Sequence, residues 1–407
     1  MERTTPLAIT SGTCITPFRR IDEGLVVVQD GVIDYVGPHV DDQIPDAARI
    51  LDALGGYVCP GFIDIQVNGG KGGSVVDGTT EALNTLSEYH LEHGTTALAP
   101  TLVSSSLDRM FSVLELIRDF QNRSHPNMSK VIGAHLEGPY LSKERRGAHH
   151  PARIREAARP DEWEQLLDYT DAISLVTAAP EVPGVLAFAR ALRRSNIAVS
   201  MGHSNATYAE ATQAVEAGFS LVTHLYSDTS TITRRNLIRT PGILETAWLL
   251  DDLSVSVIGD DVHLPARLVE TIVKQKGAGN TILISDAMRA AGMPDGEYVL
   301  GDLEDDNRIR VKDGMAQTLD GTSLAGSTVA MDTCLQTAAG KADLPLPDAV
   351  MMATLNPARL LGVDHRMGSL SQGKQADIVI LDPDFSVQHA IVDGRIAYPR
   401  SEAAERP

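Results

Sequence analysis

Short runs of branched and other apolar residues recur along the middle of the chain, each bounded by turn-forming residues. Runs of this kind predict buried strands. The predicted strands cover residues 61–67, 95–101, 131–137, 172–177, 197–202, 221–224, 255–259 and 282–286. Helix signals lie between these strands, such as the capping box of Thr207 and Glu210 and the helix-ending Gly218.

The alternation of strands and helices predicts an α/β fold with a parallel sheet. Eight strands separated by helices is the count of a (β/α)8, TIM-like barrel. An open, doubly wound sheet is the alternative, although no glycine-rich phosphate loop follows the first strand. Residues 288–322, after the eighth strand, predict a hairpin flap with strands near 297–300 and 308–311.

Both ends of the chain contain short strand patterns with hairpin signals, Asp30-Gly31 near the start and Asp393-Gly394 near the end. Two strand-rich ends around an α/β middle predict one small domain to which both ends contribute. We therefore expect a small β-sandwich domain from residues 1–58 and 363–407, and a barrel domain from residues 59–362.

Four polar residues stand at the predicted carboxyl ends of barrel strands, where side chains converge on one mouth. Glu137 ends the third strand, His203 and His224 end the fifth and sixth, and Asp286 ends the eighth. Each residue alone is more often a hydrogen-bonded core or surface group. Two imidazoles and one carboxylate that leave an open position are typical of a catalytic metal site, and the remaining Asp286 is free to act as general base on metal-bound water.

The first predicted strand carries Gln66 and Asn68 where metal-dependent barrel hydrolases often have two histidines. Amides are weak ligands for transition metals. We interpret the pair as a vestigial second-metal position, which predicts one metal ion per site. The alternative is that Gln66 and Asn68 hydrogen-bond loop backbone.

Charge and cysteine content narrow the partners and the compartment. The net charge of −19 over 407 residues argues against nucleic acid or an anionic membrane as a partner. Three widely spaced cysteines, Cys14, Cys59 and Cys334, indicate a reducing compartment without a disulfide framework. No signal peptide and no apolar run of spanning length is present, so we expect a cytoplasmic location.

Several motifs together resemble one enzyme family, in order and over roughly residues 24–382. They are Pro60-Gly61-Phe62-Ile63-Asp64, His135-Leu136-Glu137-Gly138-Pro139, Gly147-Ala148-His149, Gly202-His203-Ser204, Thr223-His224-Leu225-Tyr226, Ser285-Asp286-Ala287-Met288 and Leu324-Ala325-Gly326-Ser327. The chain resembles the N-acetylglucosamine-6-phosphate deacetylases of the amidohydrolase superfamily.

This resemblance implies a role for each matching position. Glu137, His203 and His224 would be metal ligands, and Asp286 the catalytic acid and base. The implied substrate-binding residues are His149, His263, Ala148, Leu324, Ala325, Gly326, Ser227, Asp228 and Arg235. The resemblance further implies a homodimer in which Arg235 reaches the 6-phosphate bound by the neighbouring subunit. Arg234 is an equally basic neighbour, so either arginine fits that role.

Two departures from the family pattern affect the substrate end of the site. Ser227-Asp228-Thr229 replaces the usual Asn-Ala-Met, and an aspartate beside a phosphate dianion is unfavourable unless it turns away or pairs with Arg234 or Arg235. Asp261 replaces a usual glycine before His263. The metal and acid/base groups are intact, so the reaction is better supported than the sugar.

The resemblance therefore implies hydrolysis of N-acetylglucosamine 6-phosphate to glucosamine 6-phosphate and acetate. One divalent ion per subunit is expected, with zinc favoured over iron or another divalent ion. The alternatives are deacetylation of N-acetylgalactosamine 6-phosphate or of an unphosphorylated acetamido sugar, other amidohydrolase chemistry such as cyclic-amide opening or deamination, and an inactive barrel scaffold. Metal analysis separates scaffold from enzyme, and a sugar panel separates the substrates.

Overall fold

A computed structural model describes residues 5–123 and 126–399 of the chain. Its central element is a parallel sheet whose strands alternate with helices, which confirms the predicted fold class. The strands are Phe62–Val67, Thr95–Val103, Lys130–Val131 with Ala134–Glu137, Ile173–Ala178, Ala198–Met201, Leu221–Val222, Ser254–Ile258 and Thr281–Ile284. Each predicted strand is present, with boundaries that shift by a few residues.

The strands pair in chain order, and every pairing in this sheet is parallel. The last and first strands meet through a parallel bridge between Ala287 and Val67, which nearly closes the barrel. Because closure turns all eight strand ends toward one mouth, residues far apart in the chain become neighbours there.

Helices surround the barrel and bury apolar residues against the outer side of its strands. Their positions follow local start signals, as where Thr207 and Glu210 form the predicted capping box. The α-helices are Thr80–Glu92, Leu107–Gln121, Pro160–Leu166, Val185–Arg194, Tyr208–Glu216, Ile243–Leu249, Ala266–Lys276, Met331–Leu335, Leu346–Ala353 and Leu355–Leu360, and a π-helix covers Gln336–Lys341. No helix among the described residues is long and apolar enough to cross a membrane.

A second sheet contains strands from both ends of the chain, as predicted. Its strands are Leu7–Ile15, Arg20–Gln29, Val32–Pro38, Arg49–Asp52, Tyr57–Pro60, Ile378–Leu381, Val387–Val392 and Arg395–Tyr398. The two ends join where Tyr57–Pro60 pairs antiparallel with Ile378–Leu381. The exact domain boundaries remain a prediction.

The segment after the eighth barrel strand forms a three-stranded antiparallel sheet, which we call the flap. Its strands are Gly296–Val299, Arg308–Lys312 and Met315–Thr318, so the sequence prediction missed the third strand. The flap packs an apolar cluster, including Ile309 and Val311, against Ala148 and Met288. A second small hairpin, Thr233–Arg235 with Ile238–Thr240, follows the sixth barrel strand and was not predicted.

Candidate active site

Glu137, His203, His224 and Asp286 meet at the carboxyl ends of their barrel strands, and all four are buried. Three of them, His203, His224 and Asp286, have left-handed backbone conformations with φ of 47°, 31° and 50°. Residues other than glycine rarely hold this conformation unless the surrounding structure imposes it, and such residues are frequent at active sites. The strand ends are thus bent so that these side chains turn toward one point.

The two histidines and the glutamate present three donor atoms to one another. Glu137 Oε1 lies 3.2 Å from His203 Nε2 and 3.0 Å from His224 Nε2, and the two Nε2 atoms are 3.1 Å apart. Ligands at 2.0–2.1 Å from a tetrahedral ion are separated from one another by about 3.3 Å. The observed separations are close to that value, so the three atoms fit a single divalent cation.

The hydrogen bond at the far side of His203 sets which ring nitrogen can bind a cation. A backbone carbonyl can only accept, so His203 Nδ1 donates its hydrogen to Arg145 O at 2.8 Å. In the neutral ring, Nε2 then carries the lone pair that faces Glu137 and His224. A partner that fixes the ring in this way is usual for a histidine that binds a metal.

His149 is close enough to be a fourth donor, since Glu137, His149 and His203 have ligand atoms within 4.8 Å of one another. Its Nδ1, however, accepts a hydrogen bond from the backbone N–H of Ser104 at 3.3 Å. The neutral ring must then carry its hydrogen on Nε2. His149 is therefore placed to donate a hydrogen bond, whereas His224 Nε2 lies only 3.0 Å from Glu137 Oε1 and 3.1 Å from His203 Nε2.

The charges of the site are arranged around the buried Glu137 carboxylate. Burial raises the pKa of Glu137, but hydrogen bonds from His203 and His224 outweigh burial and lower that pKa well below its ordinary value. Burial disfavours the charged form of His203, while its contact with Glu137 raises the pKa of His203 to about 9 in the metal-free protein. Burial and the nearby His203 lower the pKa of His149 to about 3, which keeps this ring neutral.

Asp286 stands beside the three donor atoms but forms no hydrogen bond or ion pair with His203 or His224 among the described contacts. Its Oδ1 accepts hydrogen bonds from Asn68 Nδ2 at 2.8 Å and Gln66 Nε2 at 3.2 Å. Burial and the neighbouring charge of Glu137 raise the pKa of Asp286 to about 6. A carboxyl group with such a pKa can take up and release a proton near neutral pH.

Gln66 and Asn68 hydrogen-bond the site carboxylates, not the loop backbone. The Gln66 amide also donates to Glu137 Oε1 at 3.1 Å, so it bridges Glu137 and Asp286. Asn68 Oδ1 is buried and has no hydrogen-bond partner among the described residues. Both amides hold the carboxylates in place. Their interpretation as a vestigial second-metal position stays a prediction.

Asp64 supports the site from below, and sequence analysis assigned no role to this residue. Its carboxylate accepts hydrogen bonds from the Ser285 hydroxyl and from Gln66 N at 3.1 Å, which joins the first and eighth strands. Burial raises the pKa of Asp64 to about 7 against the opposing hydrogen bonds. The inward, alternating polar positions 64, 66 and 68 were the available signal.

A cleft opens above these groups with about 460 Å3 of empty space, part of which is open to solvent. Most of the predicted substrate-binding residues line it, namely Ala148, His149, Ser227, Asp228, His263, Leu324 and Gly326. Three apolar lining residues, Val103, Ile258 and Leu300, were not predicted. Leu300 belongs to the flap region, so its position depends on how the flap docks.

Two further predicted site residues, and one departure from the family pattern, have different surroundings. Ala325 lies in the apolar cluster beneath the flap and does not line the cleft. Arg235 ends the first strand of the small hairpin, but its side chain lies outside what the structure describes. Asp261 accepts hydrogen bonds from Ala266 N at 2.8 Å and Lys341 Nζ at 2.9 Å, so it stabilises a helix start outside the cleft.

Comparisons of the sequence and the fold with known proteins show which proteins this chain is similar to. The profile of the amidohydrolase family matches residues 57–397. The N-acetylglucosamine-6-phosphate deacetylase of Vibrio furnissii is 34% identical over 390 residues, 94% of each chain. The N-acetylgalactosamine-6-phosphate deacetylase of Escherichia coli O157:H7 is 33% identical, covering 93% of this chain and 95% of the relative. A mutant N-acetyl-D-glucosamine-6-phosphate deacetylase from Mycobacterium smegmatis, solved in complex with N-acetyl-D-glucosamine-6-phosphate, superposes with a TM-score of 0.87 at 31% identity, covering 97% of this chain and 100% of that chain.

Proposed function

We propose that this chain, which belongs to the amidohydrolase family and to its N-acetylglucosamine-6-phosphate deacetylases, hydrolyses N-acetylglucosamine 6-phosphate to glucosamine 6-phosphate and acetate. The observation that carries the proposal is the separation of roles in the site. Glu137, His203 and His224 form a compact donor set, while Asp286 is held apart from the two histidines by Asn68 and Gln66. An inactive scaffold would not require this arrangement.

Glu137, His203 and His224 would hold one divalent ion, for which we propose zinc. Such an ion lowers the pKa of a water molecule so that a nucleophile is available near neutral pH. Iron or another divalent ion suits the same nitrogen and oxygen donors. Elemental analysis of the purified protein tests this assignment, with one equivalent of zinc per chain expected and less than half an equivalent of any metal contradicting it.

Asp286 moves the proton in the proposed reaction. In its ionised form it accepts a proton at Oδ from the attacking water, and it then donates that proton to the leaving amine nitrogen. Asn68 and Gln66 both donate to Oδ1 and thereby fix the orientation of the Asp286 carboxylate. His149, with its hydrogen on Nε2, can donate a hydrogen bond to the amide carbonyl oxygen as negative charge develops there.

Replacement of Asp286 tests this assignment. We expect Asp286→Asn to lower kcat by about 10²- to 10⁴-fold because it removes the general acid and base. Metal content should stay at the wild-type value, since Asp286 forms no hydrogen bond or ion pair with the ligand histidines among the described contacts. Asp261→Asn is the matched control because Asp261 pairs with Lys341 outside the cleft. Wild-type turnover by Asp286→Asn would refute the assignment.

N-acetylgalactosamine 6-phosphate is the second candidate substrate. A relative named for that sugar is 33% identical, nearly as similar as the relative from Vibrio furnissii. Acetate release from the two phosphorylated sugars and their unphosphorylated forms, compared by kcat/KM, separates these substrates. The preferred sugar is the one with the highest kcat/KM, and a value at least tenfold higher for N-acetylglucosamine 6-phosphate is expected.

We also propose a cytoplasmic homodimer in which Arg235, or its neighbour Arg234, approaches the partner's site. The small hairpin exposes apolar side chains, with Ile232, Leu237 and Ile238 at 51%, 81% and 71% exposure. Exposed apolar groups of this size favour association. Light scattering of Leu237→Asp tests the dimer, since a monomeric variant beside a dimeric wild type is expected and a monomeric wild type contradicts the proposal.

A further inference from the structure

The loop that follows the sixth barrel strand fixes the carboxylate of Asp228 at the edge of the cleft. Asp228 has a left-handed backbone with φ of 48°, and its carbonyl accepts a hydrogen bond from Ser204 N at 3.0 Å. Gly147 faces it so closely that a Cβ atom there would overlap Asp228 Oδ2. The Asp228 main chain is therefore fixed by Ser204, while its carboxylate packs against Gly147.

No described lysine or arginine side chain neutralises this carboxylate. Its nearest cationic partner is His203, whose Nδ1 lies 3.8 Å from Asp228 Oδ2. That Nδ1 hydrogen is already donated to the Arg145 carbonyl at 2.8 Å. Since the Asp228 side chain is 32% exposed and lines the cleft, its oxygens are accessible to a bound ligand.

The two arginines nearest in sequence to Gly147 are engaged elsewhere. Arg145 Nε donates to Asn205 Oδ1 at 2.7 Å. Arg146 Nη1 donates to the carbonyl groups of Gly147 and His149, at 3.2 and 2.8 Å. Neither arginine forms an ion pair with Asp228, so no arginine or lysine among the side chains that the structure describes compensates the negative charge at this edge of the cleft.

We propose that Asp228 determines specificity by accepting a hydrogen bond from a sugar hydroxyl group. A carboxylate is a strong acceptor for hydroxyl groups, and it repels a phosphate dianion placed against it. The group that faces Asp228 is therefore a hydroxyl and not a phosphate, and any charged group of the substrate lies elsewhere in the cleft. This inference rests on the proposed deacetylation and narrows its substrate class.

A consequence for substrate choice follows directly. Asp228→Asn keeps the shape and one acceptor oxygen but removes the charge. We expect Asp228→Asn to weaken binding of N-acetylglucosamine 6-phosphate but not of its 3-deoxy or 4-deoxy analogue, whichever lacks the hydroxyl group that pairs with Asp228, and thereby to change the ratio of these two Kd values by at least tenfold. A purely structural role for Asp228 would change both Kd values in the same direction and leave their ratio constant.

Titration calorimetry on Asp286→Asn protein measures these Kd values without turnover. The Asp228→Asn change is made in that background, and Asp228→Ser is a second variant if Asp228→Asn does not fold. Asp261→Asn is the matched control, since it removes the same charge outside the cleft, and its Kd ratio should equal that of the parent. Metal content of every variant is compared, because Asp228 lies near His203.

The outcomes separate this inference from the proposed function. A tenfold change of the ratio in the expected direction supports the role of Asp228. An unchanged ratio, a change in the opposite direction, or no binding of either sugar overturns it. Acetate release by the protein with Asp286 intact is measured in parallel, and its absence would refute the deacetylase proposal whatever the Kd ratios show.

Discussion

Arg153 fastens the flap to the barrel, and its removal should loosen the flap without unfolding the protein. Its guanidinium donates two hydrogen bonds to Asp305, from Nε at 2.8 Å and from Nη2 at 2.5 Å. Nε also lies 3.8 Å from Asp302, which accepts a hydrogen bond from Ser105 Oγ at 2.6 Å. The side chains of Asp302 and Asp305 are only 5% and 11% exposed; Asp302 also pairs with Arg109 Nε at 3.4 Å, whereas Asp305 depends on Arg153.

The expected effect of Arg153→Met follows from the groups it leaves unpaired. Each hydrogen bond to a charged group contributes about 1.5–3 kcal/mol, and breaking a buried ion pair costs about 3–5 kcal/mol. Asp302 keeps Ser105 and Arg109, and Asp305 gains access to water, so we expect the free energy of flap opening to fall by about 2–4 kcal/mol. Because 1.4 kcal/mol is a factor of ten, the flap should open about 30- to 1,000-fold more often.

Hydrogen exchange of the backbone amides of Gly296–Val299 and Arg308–Lys312 measures this opening. Arg310→Met is the matched control because Arg310 pairs with Glu297 at 3.0 Å in the same sheet, with both side chains about half exposed. An exposed pair contributes about 0–1 kcal/mol, so exchange in the control should stay within a few-fold of wild type. KM should rise in Arg153→Met alone, since Leu300 lines the cleft. Equal exchange rates in the two variants would refute the proposed role of Arg153 in holding the flap to the barrel.

Three further predictions concern stability. Lys276→Met should destabilise the protein by about 1–3 kcal/mol because the buried Nζ donates hydrogen bonds to backbone carbonyls, including those of residues 247 and 251 at 2.9 and 3.1 Å. The exposed Lys274→Met is the control, and in urea titrations it should change the free energy of unfolding by under about 0.5 kcal/mol. Gly147→Ala should lower the free energy of unfolding by about 1–3 kcal/mol, and with it Tm, because the φ of Gly147 is +53° and a carboxylate oxygen of Asp228 occupies the space that Cβ needs. Gly279→Ala is the control: open space surrounds Gly279, so Tm should change by no more than about a degree or two. Equal Tm values for the two variants would contradict this reasoning. Burial raises the pKa of Asp64 to about 7 above an ordinary 3.8, so its folded form holds a proton that the unfolded chain releases. The contribution of Asp64 to the free energy of unfolding is full below about pH 4 and is lost as the pH rises through 7, by about 4 kcal/mol at most. Asp64→Asn should make the free energy of unfolding depend less on pH over this range. An unchanged dependence on pH would refute the assignment.

The barrel was predictable because each of its strands is a local pattern. Branched runs such as Ile282–Ile284 indicate a strand wherever the chain places them, and the polar residue that follows, Asp286, marks its carboxyl end. Parallel closure then brings such ends together regardless of their separation in sequence. This explains how Glu137, His203 and His224 could be grouped before any distance was known.

Other parts of the site depend on pairings that no local pattern contains. Arg153 and Asp305 are 152 residues apart, and neither stands in a strand or motif that indicates a partner. The bridging role of Gln66 likewise depends on both Glu137 and Asp286 lying within hydrogen-bond distance of one amide. Side-chain identity shows which bonds a residue can make, whereas only the folded chain decides which of them form.

The sheet to which both ends of the chain contribute has a consequence for biosynthesis. Tyr57–Pro60 finds its partner in Ile378–Leu381, which leaves the ribosome only after the whole barrel has been translated. Until then the early strands keep an open edge with apolar residues beside it, and such edges readily pair with other chains. The amino-terminal edge is therefore exposed to wrong pairing throughout translation, and loss of the last strands would leave it exposed in the finished chain as well.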